Sequence, residues 1–277
     1  MCFPMPIRDI TAFVSAQSLF IFSLIFLAAN IIIFLFSLYT KSFSLDIFED
    51  AASGKAFLIR YNPIIVVCSL FFQIIYVCVT SFMFYRVFEK TQASDISYLF
   101  LFLISHIANS IRIWIPLFGM VNTYSNLLVF CGNCVLFSKL LMPLSLLFAV
   151  VMGNVEQRQD LEKNIFLLLI GCIIFAQIIP LNTANICRNF EVDYSYRNVI
   201  KIEGILVSLA TLIALFFNNK QRFYTQFTTI GLGLIIIGTF ILFNSTNLLM
   251  LILSFLFLLF GNIFYLKELH KQYLWND

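Results

Sequence analysis

Three groups of residues have the types and spacing to do chemistry. Cys131–Gly132–Asn133–Cys134 is a CxxC pair, in which one thiolate can attack a disulfide while the second resolves it. Lys139 follows in an otherwise apolar run, with Ser138 beside it and Pro143 four residues later. His106, Asn109 and Arg112 recur at i, i+3 and i+6, which puts them on one side of a helix, spread over about 120°.

An ionisable side chain among apolar residues costs about 2.5–3.5 kcal/mol on membrane-insertion scales, so Lys139 and Arg112 need partners. The Pro143 ring clashes with the carbonyl of residue 139 and removes the N–H that would bond it. A cation, the Ser138 hydroxyl and a freed carbonyl then meet at one kink, as in broken helices that line polar cavities. Candidate partners for the Lys139 ammonium are the freed carbonyls, Glu203, an anionic ligand or a lipid headgroup; burial could instead leave the amine neutral. Arg112 precedes Trp114 and Pro116, and it either faces this polar site or snorkels to a nearby interface. His106 lies deeper, with a packing reading beside a ligand-binding one. The candidate ligand-binding set is Lys139, Asn133, Arg112, His106, Asn109 and Glu203.

Cys131 and Cys134 form the candidate redox set. A relay wants two further thiols, however, and Cys187 is the only cysteine in an outer connection; the seven cysteines otherwise read as small packing residues. There is no phosphate-binding glycine loop followed by Lys, no HExxH, no Gly-x-Ser-x-Gly and no strong metal-ligand cluster. No catalytic constellation, cofactor or metal is expected, and a net charge of +3 spread over loops makes no nucleic-acid-binding patch.

The elements that position these residues follow from composition. Mean hydropathy is +0.96 and 11% of residues are charged, against about a quarter in soluble domains. About 20 apolar residues cross the hydrocarbon core, and eight stretches qualify: Thr11–Ser37, Pro63–Tyr85, Ser97–Met120, Tyr124–Met152, Asn164–Leu181, Val199–Phe217, Phe227–Phe243 and Asn247–Leu266. Runs such as Leu19–Leu38 are apolar all round, unlike the alternating strands of a barrel. The expected fold is an all-α polytopic membrane bundle of about eight spans, residues 1–277 forming a single transmembrane domain. The first run is too long for a signal peptide.

Short basic loops stay in the cytoplasm. Nine basic residues fall on one side: Arg8, Arg86, Lys90, Arg158, Lys163, Lys220, Arg222, Lys267 and Lys271. Six fall on the other: Lys41, Lys55, Arg60, Arg188, Arg197 and Lys201. Both termini are therefore expected inside, and only Arg112 and Lys139 of the 17 lie within spans. The connections repeat in outline, as parallel halves 11–152 and 164–266 would, and as unrelated short-loop bundles often do as well. The outer segment Ser42–Arg60 is expected to lie on the membrane surface as a broken amphipathic helix. Gly231, Gly233 and Gly238 let helix backbones approach closely.

At Arg86–Val87–Phe88–Glu89–Lys90–Thr91, through Ser94–Asp95–Ile96 to Phe100–Leu101–Phe102, and again at Tyr273–Leu274–Trp275, the chain resembles an uncharacterised family of bacterial multi-pass membrane proteins. The resemblance covers those two places and implies a bacterial cytoplasmic membrane, without an activity. Three functional readings follow: binding or transport of a small anionic or amphipathic ligand, a sensory or scaffolding module acting through a separate signalling or energy-coupling partner, and a thiol-disulfide oxidoreductase.

Overall fold

The computed structural model describes residues 7–40, 60–87, 94–120, 125–152, 161–218 and 226–274. The segment expected to lie on the membrane surface and most of the loop in the family resemblance fall outside the described residues. Eight long helices are present among those described: α1 (Ile7–Tyr39), α2 (Pro63–Val87), α3 (Ser94–Ser110), α4 (Asn126–Met152), α5 (Leu161–Ile178), α6 (Arg197–Asn218), α7 (Gln226–Phe243) and α8 (Leu248–Leu274). Seven contain spans long and apolar enough to cross a membrane, and the eighth carries the shorter apolar run Phe227–Phe243. The chain is a multi-pass membrane protein of the helical-bundle class, in contact with the lipid bilayer.

Local chemistry sets the helix ends near the site. The Asn62 side chain accepts from Ile64 N–H at 2.9 Å just before Pro63, where a missing N–H costs nothing. Ser125 caps α4 by accepting from Leu128 N–H at 3.1 Å. Pro116 cannot donate to the carbonyl of Arg112, and α3 tightens there into a 3-10 turn, Ile111–Ile113, followed by a last helical turn, Trp114–Leu117. Gly119 at φ 59° lets Met120 N–H return to Ile115 O at 3.0 Å, a glycine-dependent helix stop.

The span at Ile96–Leu117 is the central strut, with 83% of its most apolar window buried, against 17% for α1 and for α5. It packs on α2 and α4, with α1 reaching it as well, while α7 and α8 pair closely with each other. A Cβ on Gly231 would stand 2.7 Å from Tyr265 N, and one on Gly261 would stand 2.9 Å from Ile235 N. Those backbone contacts, and that of Gly238 with Leu258 N at 3.1 Å, are the close approaches expected of helix 7 glycines; Gly233 meets only a Leu212 methyl at 3.7 Å.

The main departure from expectation lies between α5 and α6. Helix α5 ends at Ile178 ahead of Pro180, and the connection folds as an antiparallel hairpin of β1 (Leu181–Ile186) and β2 (Val192–Tyr194). Leu181 pairs with Tyr194, Asn182 with Asp193 and Ile186 with Val192, with an irregularity between the last two pairs. Leu181, expected as the end of a span, is thus a strand residue.

Candidate functional site

The hairpin is held onto the bundle at its base and its tip. At the base, a Cβ on Gly132 of α4 would lie 2.8 Å from a Leu181 methyl and 3.4 Å from Val192 Cβ, so the glycine lets the strands lie directly on the helix. At the tip, Cys187 N–H donates to Glu191 O at 2.7 Å and Phe190 N–H to Cys187 O at 2.9 Å. Phe190 takes φ 61°, a left-handed conformation that costs a non-glycine residue about 1–2 kcal/mol. Its ring is wholly buried among Tyr61, Val66, Leu70, Ile113 and Leu117, a burial whose benefit is of similar size. The Tyr61 hydroxyl donates to Arg188 O at 2.9 Å, fixing the tip to the start of α2.

This conformation carries the next residue, Glu191, into the bundle, where its side chain is fully buried. Its Oε1 accepts from Arg112 Nη1 of the α3 extension at 2.7 Å, and its Oε2 accepts from Lys139 Nζ of α4 at 2.7 Å. Arg112 Nη2 donates in turn to Phe243 O, at the end of α7, at 2.9 Å. Lys139 Nζ also donates to the Tyr194 hydroxyl at 3.1 Å and stands 5.1 Å from that ring's centre. At the rim Arg197 lies 3.7 Å from Glu191 Oε2 and 3.8 Å from Asp193, with Nη1 on Cys187 Sγ at 3.0 Å. One carboxylate therefore joins the hairpin to α3 and α4, and through Arg112 to α7.

Burial on its own would raise the Glu191 carboxyl, but Lys139 and Arg112, one on each oxygen, outweigh burial and hold it below the usual carboxylate range. The match is unequal. Two buried cations face one buried carboxylate, and Arg197 with Asp193 at the rim adds one charge of each sign. Arg112 is sealed at 0% side-chain exposure, whereas Lys139 keeps 13%. Among the described residues the site thus has an excess positive charge, and of the two cations bonded to Glu191 Lys139 is the one with remaining access, while Arg197 at the rim is 32% exposed.

Several sequence expectations are corrected here. Arg112 does not snorkel to an interface; it is enclosed and held by Glu191. Among the described residues the Lys139 ammonium donates to Glu191 and Tyr194, in place of the expected freed carbonyls or Glu203. Glu203 stands apart on α6, with a buried Oε2 that has no hydrogen-bond partner among the described residues.

The remaining candidates are distributed around the ion cluster. Asn109 donates to Gln73 Oε1 of α2 at 2.8 Å. His106 is packed as an aromatic, with ring centres of Tyr76, Phe102 and Phe243 at 5.2, 4.9 and 5.2 Å; neither of its nitrogens has a hydrogen-bond partner among the described residues. Asn133 donates to Gln177 of α5 at 3.4 Å. Cys131 is enclosed with Ile115, Met120, Leu128 and Val192, Cys134 is half-buried, and both thiols are free.

Sequence reasoning missed Glu191, Tyr194 and Arg197 as site residues because all three sit in or beside a connection that reads as external. A signal was present: Glu191 lies between Phe190 and Val192, and two unmatched cations in the spans demand an acid from elsewhere. No family model, curated protein or solved structure matches the chain.

Proposed function

We propose that this membrane protein binds a small anionic or amphipathic ligand, for uptake or for sensing, at Arg112 and Lys139. In this reading Glu191 is a built-in counter-anion that an incoming ligand shares or displaces. The observation that carries it is the buried pair of cations bridged by a single carboxylate, with Lys139 partly accessible. Stripping water from a bare cation pair costs several kcal/mol per ion. Exchanging one carboxylate for another carboxylate or a phosphate avoids that cost, because the cations are already desolvated and the same charge-assisted bonds re-form.

Calorimetric titration of the purified protein with propionate, benzoate and inorganic phosphate tests the reading. At least one of these anions is expected to bind, and Lys139→Gln is expected to weaken it by about tenfold or more, the value of a hydrogen bond between charged groups. The variant keeps Arg112 and Glu191 matched one to one, so its fold is expected to persist. Undiminished binding in folded Lys139→Gln would contradict the proposal.

The charge count and the family resemblance support a bacterial cytoplasmic membrane with both termini inside, which puts the hairpin outside. A second reading, a sensory module working through a separate partner, draws on one further feature: Glu191 ties three helices together, so displacing it alters how those spans are joined. Anion-dependent crosslinking from the inner loops to another protein is its expected signature; crosslinks that ignore the anion would count against it.

A further inference from the structure

Next to the Glu191 cluster, the facing sides of α2 and α3 carry buried polar side chains at matching heights. Asn109 donates to Gln73 Oε1 at 2.8 Å, and one turn farther from the hairpin the His106 and Tyr76 rings stand 5.2 Å apart. Bonding is incomplete at each level. Arg112 Nε, Gln73 Nε2, Asn109 Oδ1 and both His106 nitrogens are buried with no hydrogen-bond partner among the described residues. Buried polar atoms are nearly always bonded in folded proteins, so this run of unpartnered donors and acceptors on neighbouring turns marks a place for a small polar guest.

Shared neighbours join the levels. Phe243 accepts from Arg112 Nη2 through its carbonyl at 2.9 Å and sets its ring 5.2 Å from that of His106. Tyr76 and Phe102 both touch His106, and both line a cavity of about 10 Å³ together with Thr80 and Asn262. The Tyr76 hydroxyl donates to Asn262 Oδ1 of α8 at 3.3 Å. That volume admits about one water, and three polar side chains stand ready to hold it. Beyond them the cavity is lined by Phe84, in the last turn of α2, and by Leu266 of α8. From Arg112 to Phe102 the polar column follows about 15 Å of helix, half of the hydrocarbon thickness.

The chemistry narrows the guest. A cavity of this size takes water and nothing larger, and His106 is the side chain in the column that both accepts and gives up a proton in ordinary proton shuttles. Its neighbours are Tyr76 of α2, Phe102 of α3 and Phe243 of α7, with ring centres 4.9–5.2 Å away, within the range over which aromatic rings attract a cation. The nearest charged residue along α3 is Arg112, and among the described residues no carboxylate is bonded to the imidazole.

We propose that this column is a proton path through the bundle, in which water bonded to the unpartnered atoms joins the turns and His106 is the carrier. Neutral imidazole takes a proton on its acceptor nitrogen from a water on one side, and the imidazolium gives up the proton of its other nitrogen to a water on the other side. One proton crosses, the imidazole ends neutral, and a half-turn of the ring restores the starting tautomer. The path opens at the Glu191 cluster, where Lys139 and Arg197 keep access, and ends at the cavity. It goes beyond the anion reading and does not depend on it.

Proton flux into liposomes that contain the purified protein tests it, driven by a valinomycin potassium diffusion potential and read with a pH-sensitive dye in the lumen. Wild type is expected to acidify the lumen faster than protein-free liposomes do. His106→Gln keeps hydrogen bonding at the same place but cannot carry a further proton, and its flux is expected to fall to the protein-free rate. Asn262→Leu, which puts an apolar side chain into the cavity, is expected to slow the flux as well. Thermal unfolding is read on each variant, and His106→Phe, which keeps the ring packing, replaces His106→Gln should that variant not fold. Wild-type flux no greater than that of protein-free liposomes, or undiminished flux in either folded variant, overturns the proton path.

Discussion

Glu191 shows how a charge can be buried when its neighbours are arranged for it. Removing one partner from a buried ion pair costs about 3–5 kcal/mol, because the other charge is left without compensation. Glu191→Gln strands two cations and is expected to destabilise the protein by an amount in that range, whereas Lys139→Gln leaves a matched pair and is expected to cost less. The carboxyl is held below its ordinary value of 4.5. A depressed folded pKa means that the unfolded chain takes up protons first. The stabilisation is therefore fully present above about 4.5 and is lost as pH falls through the lower, folded value. Thermal unfolding between pH 7 and pH 3 should show wild type losing this increment at the acid end and Glu191→Gln lacking that loss; parallel curves would contradict the assignment. Both cations were legible in the sequence, since each interrupts an apolar run. Their partner was not, because Glu191 is polar by composition and acquires its burial only from helices far away in the chain.

The helices themselves follow closely from the sequence. Hydropathy locates the start of α2 at Pro63 and the end of α7 at Phe243 as expected, because an apolar span in lipid must satisfy its own backbone bonds. The hairpin escaped that logic. Its strands are short, and their docking depends on Gly132 beneath Leu181 and on Phe190 filling the space beside Tyr61, neither of which has a periodic signature. Glycine contacts give a direct test at this scale. A Cβ at Gly231 meets the Tyr265 backbone nitrogen at 2.7 Å, whereas one at Gly171 meets nothing within 4 Å. Gly231→Ala is expected to force α7 and α8 apart at a cost of about 1–3 kcal/mol, and Gly171→Ala to change stability by less than about 0.5 kcal/mol. Comparable unfolding midpoints for the two variants would show that the α7–α8 contact does not depend on the missing side chain.

Across the whole molecule, hydropathy gives the class and leaves the assembly open. It distinguishes spans from connections but does not say which spans touch. α1 packs beside α2, while the corresponding α5 and α6 are joined mainly through α4. The Glu191 cluster belongs to this scale too, because it joins parts of the chain from α3 to α7 that are remote in sequence. If Arg112 and Lys139 form an anion site for which Glu191 is the built-in occupant, a small carboxylate should substitute for it. The decisive measurement is the thermal unfolding of Glu191→Ala with and without propionate. Propionate is expected to raise the midpoint of this variant, by a stabilisation of about 2.7 kcal/mol at a hundred times its dissociation constant, and to leave Glu191→Ala/Lys139→Gln nearly unmoved. No rescue of folded Glu191→Ala, or equal rescue with Lys139 replaced, would contradict the account.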